Sequence, residues 1–519
     1  MAVGCDLNAA LGGVDVLEIR SELPAQVSGI TQDSRRVKAG YVFAARYGEK
    51  VNGLDFAGDA RVRGAAVILT DSALPGELPL PVVRVRNFRA ALAQLSQAIY
   101  RDPSRRLKLI GITGTNGKTT TGHLVKSVVA ASGARCGLIG TVGYDTGARK
   151  MDAPLTTPDI DRLSELLAEM ADAGCEYAAM EVSSHALAQE RVAGLRFVGA
   201  GFTNLSRDHL DYHNTFEEYA AAKARLFEMM EPDGVAVVNA RDPFGEYMAS
   251  AARGEVVRFS SVGAADLNVA MIQHDVNGGR YRLTIWRDCR LAERMRRQNR
   301  QQMQQINGGG DSEFQVVTSL VGVYHGENIA LAAGLTLGLG FSIADVQRGV
   351  DAMKSVPGRL EMVKRGQPFA VLVDYSHTPD ALEQALKSLR LICQGKLLVV
   401  FGCGGDRDHV KRPQMGKIAA ELADCVIVTS DNPRFEDPEA IMAEILEGVP
   451  EGFRDRVQAV TDRRDAIETA VKRAQSDDLV LIAGKGHENY QEVNGVRRPF
   501  DDREVARESL AAAGWRAVE

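Results

Sequence analysis

A glycine-rich turn at residues 111–120, GITGTNGKTT, constrains the fold more than any other part of the sequence. The apolar run 107–110 before it predicts a buried strand, and residues 122–131 after it predict a helix. A strand, a glycine turn and a helix in this order form a cradle for phosphate groups. The turn departs from the general P-loop pattern, since Ile112 stands where a glycine is usual. The alternative interpretation is an ordinary glycine-rich turn between a strand and a helix.

The residues of this turn indicate what it would bind. Gly114 and Gly117 can free backbone N–H groups for anionic oxygens, and Lys118 supplies a charge for terminal phosphates. The hydroxyl of Thr119 can hold Mg²⁺. A nucleoside triphosphate with magnesium is therefore the expected ligand.

The chain is too long for a single hydrophobic core. At 519 residues, and at about 150 residues per domain, three or four domains are expected. Asp-Pro-Ser at 102–104 and SVPGR at 355–359 each interrupt a helical stretch, and strands alternate with helices after each break. We expect an α/β protein of three domains: a smaller N-terminal α/β domain at 1–105, a central P-loop domain with a mainly parallel sheet at 106–355, and a C-terminal Rossmann-like domain at 356–519.

Charge and hydropathy exclude several classes of protein. The 62 Lys and Arg residues are outnumbered by 68 Asp and Glu, for a net charge of −6, so we expect no nucleic acid as a partner. The longest apolar stretch, 329–341, is shorter than the ~18 residues that cross a bilayer, and the sequence does not start like a signal peptide. We expect a cytoplasmic protein without membrane contacts. Its seven cysteines include no Cys-x-x-Cys pair, which argues against zinc and against a disulfide framework.

One segment differs in composition from the rest. Residues 294–313, RMRRQNRQQMQQINGGGDSE, are rich in Arg and Gln and contain three consecutive glycines. We expect a solvated surface excursion, inserted near 292–313 in a hairpin of the central domain. The alternative is a small basic patch for RNA or phosphate.

Two clusters downstream of the turn carry groups suited to metal chemistry. Glu181 lies at the end of the predicted strand 176–182, where doubly wound sheets bind their ligands, and a carboxylate there can hold Mg²⁺. Residues 202–213, FTNLSRDHLDYH, concentrate His and Asp side chains. Their spacing is not a known zinc spacing and no cysteine is near, so magnesium chemistry with the P-loop is favoured.

Seven motifs, taken in order, resemble those of the Mur ligase family. They are GTNGKTT (114–120), MEVSSHAL (180–187), FTNLSRDHLDYH (202–213), DYSHTPDAL (374–382), GCGGDRD (402–408), SDNPR (430–434) and AGKGHE (483–488). Each motif alone is weak evidence, whereas all seven in this order exclude coincidence. The resemblance extends from about residue 31 to residue 502.

The resemblance implies an enzyme with three binding domains. Family members bind a UDP-sugar in the first domain, ATP as co-substrate with Mg²⁺ in the second, which is an ATPase domain, and the incoming amino acid in the third. The expected reaction is ATP-dependent amide ligation through an acyl phosphate, in peptidoglycan precursor synthesis. The motifs are most similar to those of members that add meso-diaminopimelate to UDP-N-acetylmuramoyl-L-alanyl-D-glutamate.

The resemblance also implies roles for individual residues. The ATP contacts would be Gly114, Thr115, Asn116, Gly117, Lys118, Thr119, Thr120, Asn328, Arg359, Asp374 and His377. The UDP-sugar-peptide contacts would be Ser34, Thr156, Thr157, Ser183, Gln189 and Arg191. The metal ligands would be Thr119, Glu181, His209 and Lys223 as a carbamate, and the catalytic residues Lys118, Glu181, His209 and Lys223. The diaminopimelate contacts would be Arg407, Asp431, Asn432, Pro433, Arg434, Gly484 and Glu488.

The implied carbamate on Lys223 is chemically sensible. A carbamate turns a cation into an anion, which suits a site that holds a second Mg²⁺ against a triphosphate. On pattern alone, Lys223 would be an exposed lysine of a helix.

Two positions depart from the family pattern. Tyr324-His325 stand where Phe-Asn is usual, so His325 is expected to replace an asparagine near adenine. Ser376 stands where alanine is usual, a change small enough to leave His377 near the phosphates.

Arg434 bears on the choice of amino acid. Diaminopimelate carries a carboxylate that lysine lacks, and a guanidinium binds a carboxylate through two parallel hydrogen bonds but repels a bare ammonium. Glu488 is suited to an ammonium group. Arg434 therefore favours diaminopimelate, with L-lysine as the alternative substrate.

Two further alternatives are less favoured. A folylpolyglutamate synthase-like ligase would not need the separate first domain or the SDNPR motif. A nucleotide-gated binding protein without activity would not need the full set of catalytic side chains. We expect a monomer whose partners are small-molecule substrates.

Overall fold

Three large sheets, one after another along the chain, organise the molecule. The computed structural model describes residues 4–48, 51–74, 76–298 and 311–516, with the side chains of 210 and 211 excepted. Within these ranges, no helix has both the length and the apolar character needed to cross a membrane.

The first sheet has five strands, with one antiparallel pair at its edge and parallel pairs elsewhere. In spatial order they are Val16–Arg20, Val82–Val85, Ala65–Thr70, Tyr41–Ala44 and Gly29–Thr31. The helices here are Leu7–Ala10, Ala57–Val62, Phe88–Ile99 and Pro103–Arg106, with 3₁₀ turns at Ser34–Arg36 and Gly53–Phe56, and Cys5–Asp6 pairs with Gln26–Val27. The predicted break at Pro103 ends the long helix, but it also begins a one-turn helix, because proline is tolerated at the first helical position.

The central sheet has eleven strands, parallel in the middle and antiparallel at both ends. In spatial order they are Lys150–Met151, Tyr144–Asp145, Cys136–Ile139, Tyr177–Glu181, Lys108–Thr113, Phe197–Phe202, Met230–Asn239, Glu255–Ser260, Leu267–Asp275, Gly278–Ile285 and Ser312–Thr318. Its helices are Lys118–Ala131, Ile160–Asp172, Ser184–Ala188, Leu210–His213, Phe216–Glu228, Gly245–Ala251, Arg290–Gln298, His325–Gly338 and Ile343–Ala352. The apolar stretch near residue 329 forms the buried helix His325–Gly338, which packs on this sheet.

The third sheet has six strands, all parallel except at one edge. In spatial order they are Glu361–Met362, Ala370–Asp374, Leu479–Ala483, Leu397–Phe401, Cys425–Val428 and Val457–Ala459. Its helices are Pro379–Arg390, Lys411–Leu422, Pro438–Glu447, Arg463–Arg473 and Asp502–Ala512, with a 3₁₀ helix at Glu451–Arg456 and a hairpin of Tyr490–Val493 and Val496–Pro499. Helices cover both faces of this sheet, so ligand-binding loops collect at the carboxyl ends of its strands.

The Arg/Gln-rich segment lies between two paired strands of the central sheet. Gly278–Ile285 and Ser312–Thr318 are antiparallel neighbours, and residues 299–310 lie outside the described part. The prediction that residue 294 is solvated is wrong. The Arg294 side chain is buried and donates to the carbonyls of Gly338 (2.5 Å) and Asp233 (2.7 Å). The helix that ends at Gly338 leaves carbonyls without partners, and a guanidinium at that end satisfies them.

A buried ion pair joins two helices of the last sheet. Arg463 and Asp502 both have side chains with 0% exposure, and Nε and Nη2 of Arg463 donate to the two carboxylate oxygens at 2.8 and 2.7 Å. Nη2 also donates to the carbonyl of Ala483 at 3.0 Å. The pair therefore braces the end of the strand Leu479–Ala483.

All seven cysteines are free thiols, four of them buried. Disulfide bonds therefore do not contribute to this fold.

Candidate active site

A cavity of about 750 Å³ lies where the central sheet meets the third sheet. Its walls come from the P-loop, from the carboxyl ends of several central strands and from the segment around Asp374. Parallel strands that end at one edge of a sheet bring their loops together, which explains why motifs far apart in sequence meet here.

The P-loop has the strand-turn-helix structure predicted for it. The strand ends at Thr113, and the helix begins at Lys118. Gly114 and Gly117 have φ values of 141° and 88°, and a Cβ at Gly117 would lie 2.3 Å from Oδ1 of Asn328. Only glycine fits these positions.

The lysine of the turn folds back on its own loop. Nζ of Lys118 donates to the carbonyls of Gly114 (2.9 Å) and Thr115 (2.7 Å). Burial lowers the pKa of Lys118, whereas the carboxylates of Glu181 and Asp208 raise it. The ammonium is thus held at the mouth of the turn, where phosphates would arrive.

Gly117→Ala should weaken ATP binding about tenfold or more, since a left-handed backbone costs a residue with a Cβ about 1–2 kcal/mol and the new methyl meets Asn328. Titration with a fluorescent ATP analogue measures this. Gly133→Ala is the matched control, because Gly133 has φ 90° but open space around its missing Cβ. An equal loss of affinity in both variants would contradict the steric argument.

Glu181 ends a central strand and lies beside the turn. Its Oε2 accepts from the hydroxyls of Thr119 (3.0 Å) and Thr141 (3.1 Å), and its Oε1 accepts from the backbone N–H of Thr141 (2.8 Å). These buried oxygens are of the type that Mg²⁺ prefers. Within the described ranges, no three His, Cys, Asp or Glu side chains already form a cluster that could hold a metal.

Lys223 is not the exposed lysine that its pattern suggested. It has 1% exposure, its Nζ donates to the carbonyl of Gly114 at 2.9 Å, and it lies 4.2 Å from the ring centre of Tyr219. Burial, and then the charge of Lys118, lower the pKa of Lys223 well below its ordinary value. The lowered pKa favours the neutral amine, which is the form that reacts with carbon dioxide.

His209 lines the cavity on the same side. Its backbone has φ 54°, and its ring lies 4.5 Å from that of His185. Burial lowers the pKa of His209 to about 4, so the imidazole is neutral, as a metal ligand must be.

The wall formed by the C-terminal part contains the predicted nucleotide contacts. Arg359 donates to the hydroxyl of Thr119 at 3.1 Å and lies over the ring of Tyr375 at 4.8 Å. The carboxylate of Asp374 accepts from the N–H groups of Leu360 (2.8 Å) and Ser376 (3.0 Å). Asn328, Arg359, Asp374 and His377 all line the cavity.

The expectation for His325 is not met. The ring is fully buried and does not line the cavity, whereas its neighbours Tyr324 and Asn328 do. His325 lies 3.3 Å from the Asn328 amide, and burial lowers its pKa to about 3. The His325 ring contacts Asn328 on the side away from the cavity, because the first turn of the helix directs this side chain into the core.

Asp380 connects the P-loop to the C-terminal part. Its Oδ2 accepts from the amide of Asn116 at 2.8 Å and from the hydroxyl of Ser206 at 2.7 Å. The contact links residues 264 positions apart in sequence.

The predicted sugar-peptide contacts form a hydrogen-bonded group beside Glu181. Thr157 donates to the carbonyl of Glu181 (2.9 Å), and Arg191 donates to the carbonyl of Thr157 (3.2 Å) and to the Gln189 side chain (2.6 Å). Thr156 and Ser183 line the cavity. Ser34 is not part of this group, because it lies on a 3₁₀ turn of the first sheet's domain.

The predicted amino-acid contacts form a second group at the carboxyl ends of the third sheet. Asn432 donates to Oε2 of Glu488 at 2.9 Å, and Gly484, with φ 117°, approaches Asp431 closely. Arg434 has φ 52° and donates to the carbonyl of Gly405 at 2.6 Å. Arg407 is exposed and makes no hydrogen bond with the described residues.

Comparison with known proteins identifies the family. Residues 26–100 match the description "Mur ligase family, catalytic domain", residues 112–336 "Mur ligase middle domain" and residues 358–486 "Mur ligase, glutamate ligase domain". The chain belongs to the Mur ligase family. The predicted family, the three-domain α/β fold class and the expectation of an ATP-dependent ligase are thereby confirmed.

Individual Mur ligases are similar over nearly the whole chain. The UDP-N-acetylmuramoyl-L-alanyl-D-glutamate--2,6-diaminopimelate ligase of Gloeobacter violaceus is 42% identical, over 95% of this chain and 96% of its own. The protein of the same name from Aquifex aeolicus is 39% identical, over 94% and 95%. A solved structure under that name has a TM-score of 0.65 and 33% identity, and the match covers 99% of this chain and 100% of that one. A solved folylpolyglutamate synthase, at 21% identity and a TM-score of 0.57, shares the fold alone.

Sequence reasoning missed several residues of this Mur ligase site. Thr141 follows a central strand, and the rule that ligands gather at strand ends could have found it. Tyr219 lies one helical turn before Lys223, a spacing that brings side chains together. The role of Asp380 as a partner of Asn116 had no such signal, because only the tertiary fold brings the two together.

Proposed function

We propose that this Mur ligase joins meso-diaminopimelate to UDP-N-acetylmuramoyl-L-alanyl-D-glutamate, with ATP and Mg²⁺. The observation that carries the proposal is Arg434 in the SDNPR motif, two residues after Asn432, whose amide donates to Glu488. A guanidinium suits the extra carboxylate of diaminopimelate, and the carboxylate of Glu488 suits an ammonium. The names of full-length relatives at about 40% identity support it.

Each of the three proposed domains would bind a different substrate. Residues 1–105, with Ser34, would bind the UDP-sugar, and residues 106–355 would bind ATP. Residues 356–519 would bind the amino acid through Arg407, Asp431, Asn432, Pro433, Arg434, Gly484 and Glu488. The glutamyl peptide would lie against Thr156, Thr157, Ser183, Gln189 and Arg191, next to the phosphates.

A carboxylate and an amine do not condense in water without activation. In the proposed route, the D-glutamyl carboxylate attacks the γ-phosphate of ATP, which gives an acyl phosphate and ADP. The amine of diaminopimelate then attacks the acyl carbon, and phosphate leaves. Lys118 neutralises charge on the phosphates in both steps, and the P-loop N–H groups hold them in place, so catalysis is positioning plus electrostatics.

The residues suited to Mg²⁺ are the buried oxygens of Thr119 and Glu181, with His209 and a carbamate on Lys223 as further ligands. Mg²⁺ bound there supplies charge that stabilises the anionic phosphates. Burial lowers the pKa of Lys223 and so favours the neutral amine that carbamylation needs, and Tyr219 and Gly114 fix its position.

Phosphate release by the purified protein tests the function. The assay contains ATP, Mg²⁺ and UDP-N-acetylmuramoyl-L-alanyl-D-glutamate, with either meso-diaminopimelate or L-lysine. Turnover with diaminopimelate alone supports the proposal. Turnover with lysine keeps the family and rejects the substrate, and turnover with neither rejects the reaction.

Arg434→Ala should lower kcat/KM for diaminopimelate roughly 30- to 150-fold, which corresponds to ~2–3 kcal/mol for loss of a desolvated charge pair. The KM values for ATP and the UDP-dipeptide should not change. Arg507→Ala, which removes a half-buried arginine paired with the exposed Glu504, is the control. A uniform loss of affinity for all three substrates would defeat the assignment of Arg434.

We further propose that the protein is a cytoplasmic monomer, since its proposed substrates are small soluble molecules. Sedimentation at micromolar concentration tests the monomer.

A further inference from the structure

Lys485 is a wholly buried lysine to which the proposed reaction gives no part. It follows the strand Leu479–Ala483 and has 0% exposure. Its Nζ lies 3.1 Å from Oδ1 of Asn432, 3.3 Å from Oε2 of Glu488 and 3.9 Å from Oδ1 of Asp431. A lysine without access to water is tolerated only with such partners, so its contacts are specific.

Lys485 fixes the orientation of the Asn432 side chain. Oδ1 of Asn432 accepts from Nζ and from the backbone N–H of Glu492 at 2.9 Å, so the amide cannot be flipped. Nδ2 must then face Glu488, to whose Oε2 it donates at 2.9 Å. Its second N–H has no acceptor among the described residues.

The same contacts make the two oxygens of the Glu488 carboxylate different from each other. Oε2 accepts from both Lys485 and Asn432, and Oε1 accepts from none of the described residues. The second N–H of the Asn432 amide and Oε1 of Glu488 can therefore both bind a ligand. A zwitterionic amino-acid centre has the complementary pair, a carboxylate and an ammonium.

Lys485 also sets the charge of this group. Its ammonium lies 3.9 Å from the Asp431 carboxylate and 3.3 Å from that of Glu488, and it offsets their negative charge. Loss of Lys485 would remove one positive charge from beside these two carboxylates, which favours a bare ammonium over a zwitterion.

We propose that Lys485 is a positioning residue that makes the amino-acid site selective for a zwitterionic far end, such as that of diaminopimelate, over the plain ammonium of lysine. The inference deepens the proposed function and rests on it. Lys485 acts through Asn432 and Glu488 and need not touch the substrate.

The test is Lys485→Met, assayed at saturating ATP and UDP-dipeptide with varied diaminopimelate or L-lysine. The KM for diaminopimelate should rise about tenfold or more, the size of effect expected when hydrogen bonds to a charged group are lost. The preference for diaminopimelate over lysine should fall, with the KM for ATP unchanged. Lys485→Arg, which keeps the charge, should recover part of the preference.

Controls separate this inference from a folding defect and from the proposed function. Lys472→Met removes an exposed lysine of the same domain and should behave as the wild type. If Lys485→Met does not fold, Lys485→Gln, which is neutral but polar, takes its place with the same expectation. An unchanged preference, or an equal loss for all three substrates, overturns the role of Lys485. If the wild-type protein is inactive with diaminopimelate, the proposed function itself is wrong.

Discussion

Lys223→Arg should abolish ligation while leaving ATP binding nearly intact. An arginine cannot carry a carbamate, and it would stay cationic at a buried position where Lys223 contacts the carbonyl of Gly114. We expect kcat to fall roughly 10³-fold, the loss typical when a preorganised group for charge stabilisation is removed. Phosphate release measures kcat, and titration with a fluorescent ATP analogue measures binding.

The lowered pKa of Lys223 gives this prediction a chemical readout. Carbamate forms from the neutral amine, and burial favours that form because it lowers the pKa of Lys223. Protein equilibrated with carbon-13 bicarbonate should show a carbamate resonance that is absent from the arginine variant. Lys126→Arg is the control, since Lys126 pairs with Asp145 away from the cavity. Full activity of Lys223→Arg would reject the carbamate.

Asp502→Asn should lower the free energy of unfolding by about 3–5 kcal/mol, because it leaves the Arg463 guanidinium buried without its counter-charge. Urea unfolding followed by tryptophan fluorescence measures the effect. Trp515 packs against the cluster that contains Val505 and Leu510, and a Trp286→Phe background leaves Trp515 as the single reporter.

Neighbouring residues supply the control for that measurement. Arg464 and Glu508 connect the same two helices by an exposed pair, and Glu508→Gln should cost no more than about 1 kcal/mol. A loss below about 1 kcal/mol for Asp502→Asn would contradict the argument.

The sequence predicted buried strands well where they are continuous apolar runs. The predicted strand 176–182 is Tyr177–Glu181 in the structure, one residue shorter at each end. The P-loop helix begins at Lys118, four residues before the predicted start, because Gly117 caps it in a left-handed conformation. Polar residues at helix starts weaken a prediction based on apolar periodicity.

The site was predictable where a motif fixes both identity and backbone, as at Gly117 and Glu181. It was not predictable where burial decides the direction of a side chain. His325 and Arg294 both point into the core, and neither the family pattern nor composition carries that information. The roles assigned to individual residues stay predictions that the variants above test.

The contacts of Asp380 and Arg359 bear on when ATP is cleaved. Both side chains come from beyond residue 355, yet they bind Asn116 and Thr119 of the phosphate turn. We therefore expect cleavage of ATP to depend on these two partners. An arrangement in which the third proposed domain supplies them would guard against idle hydrolysis.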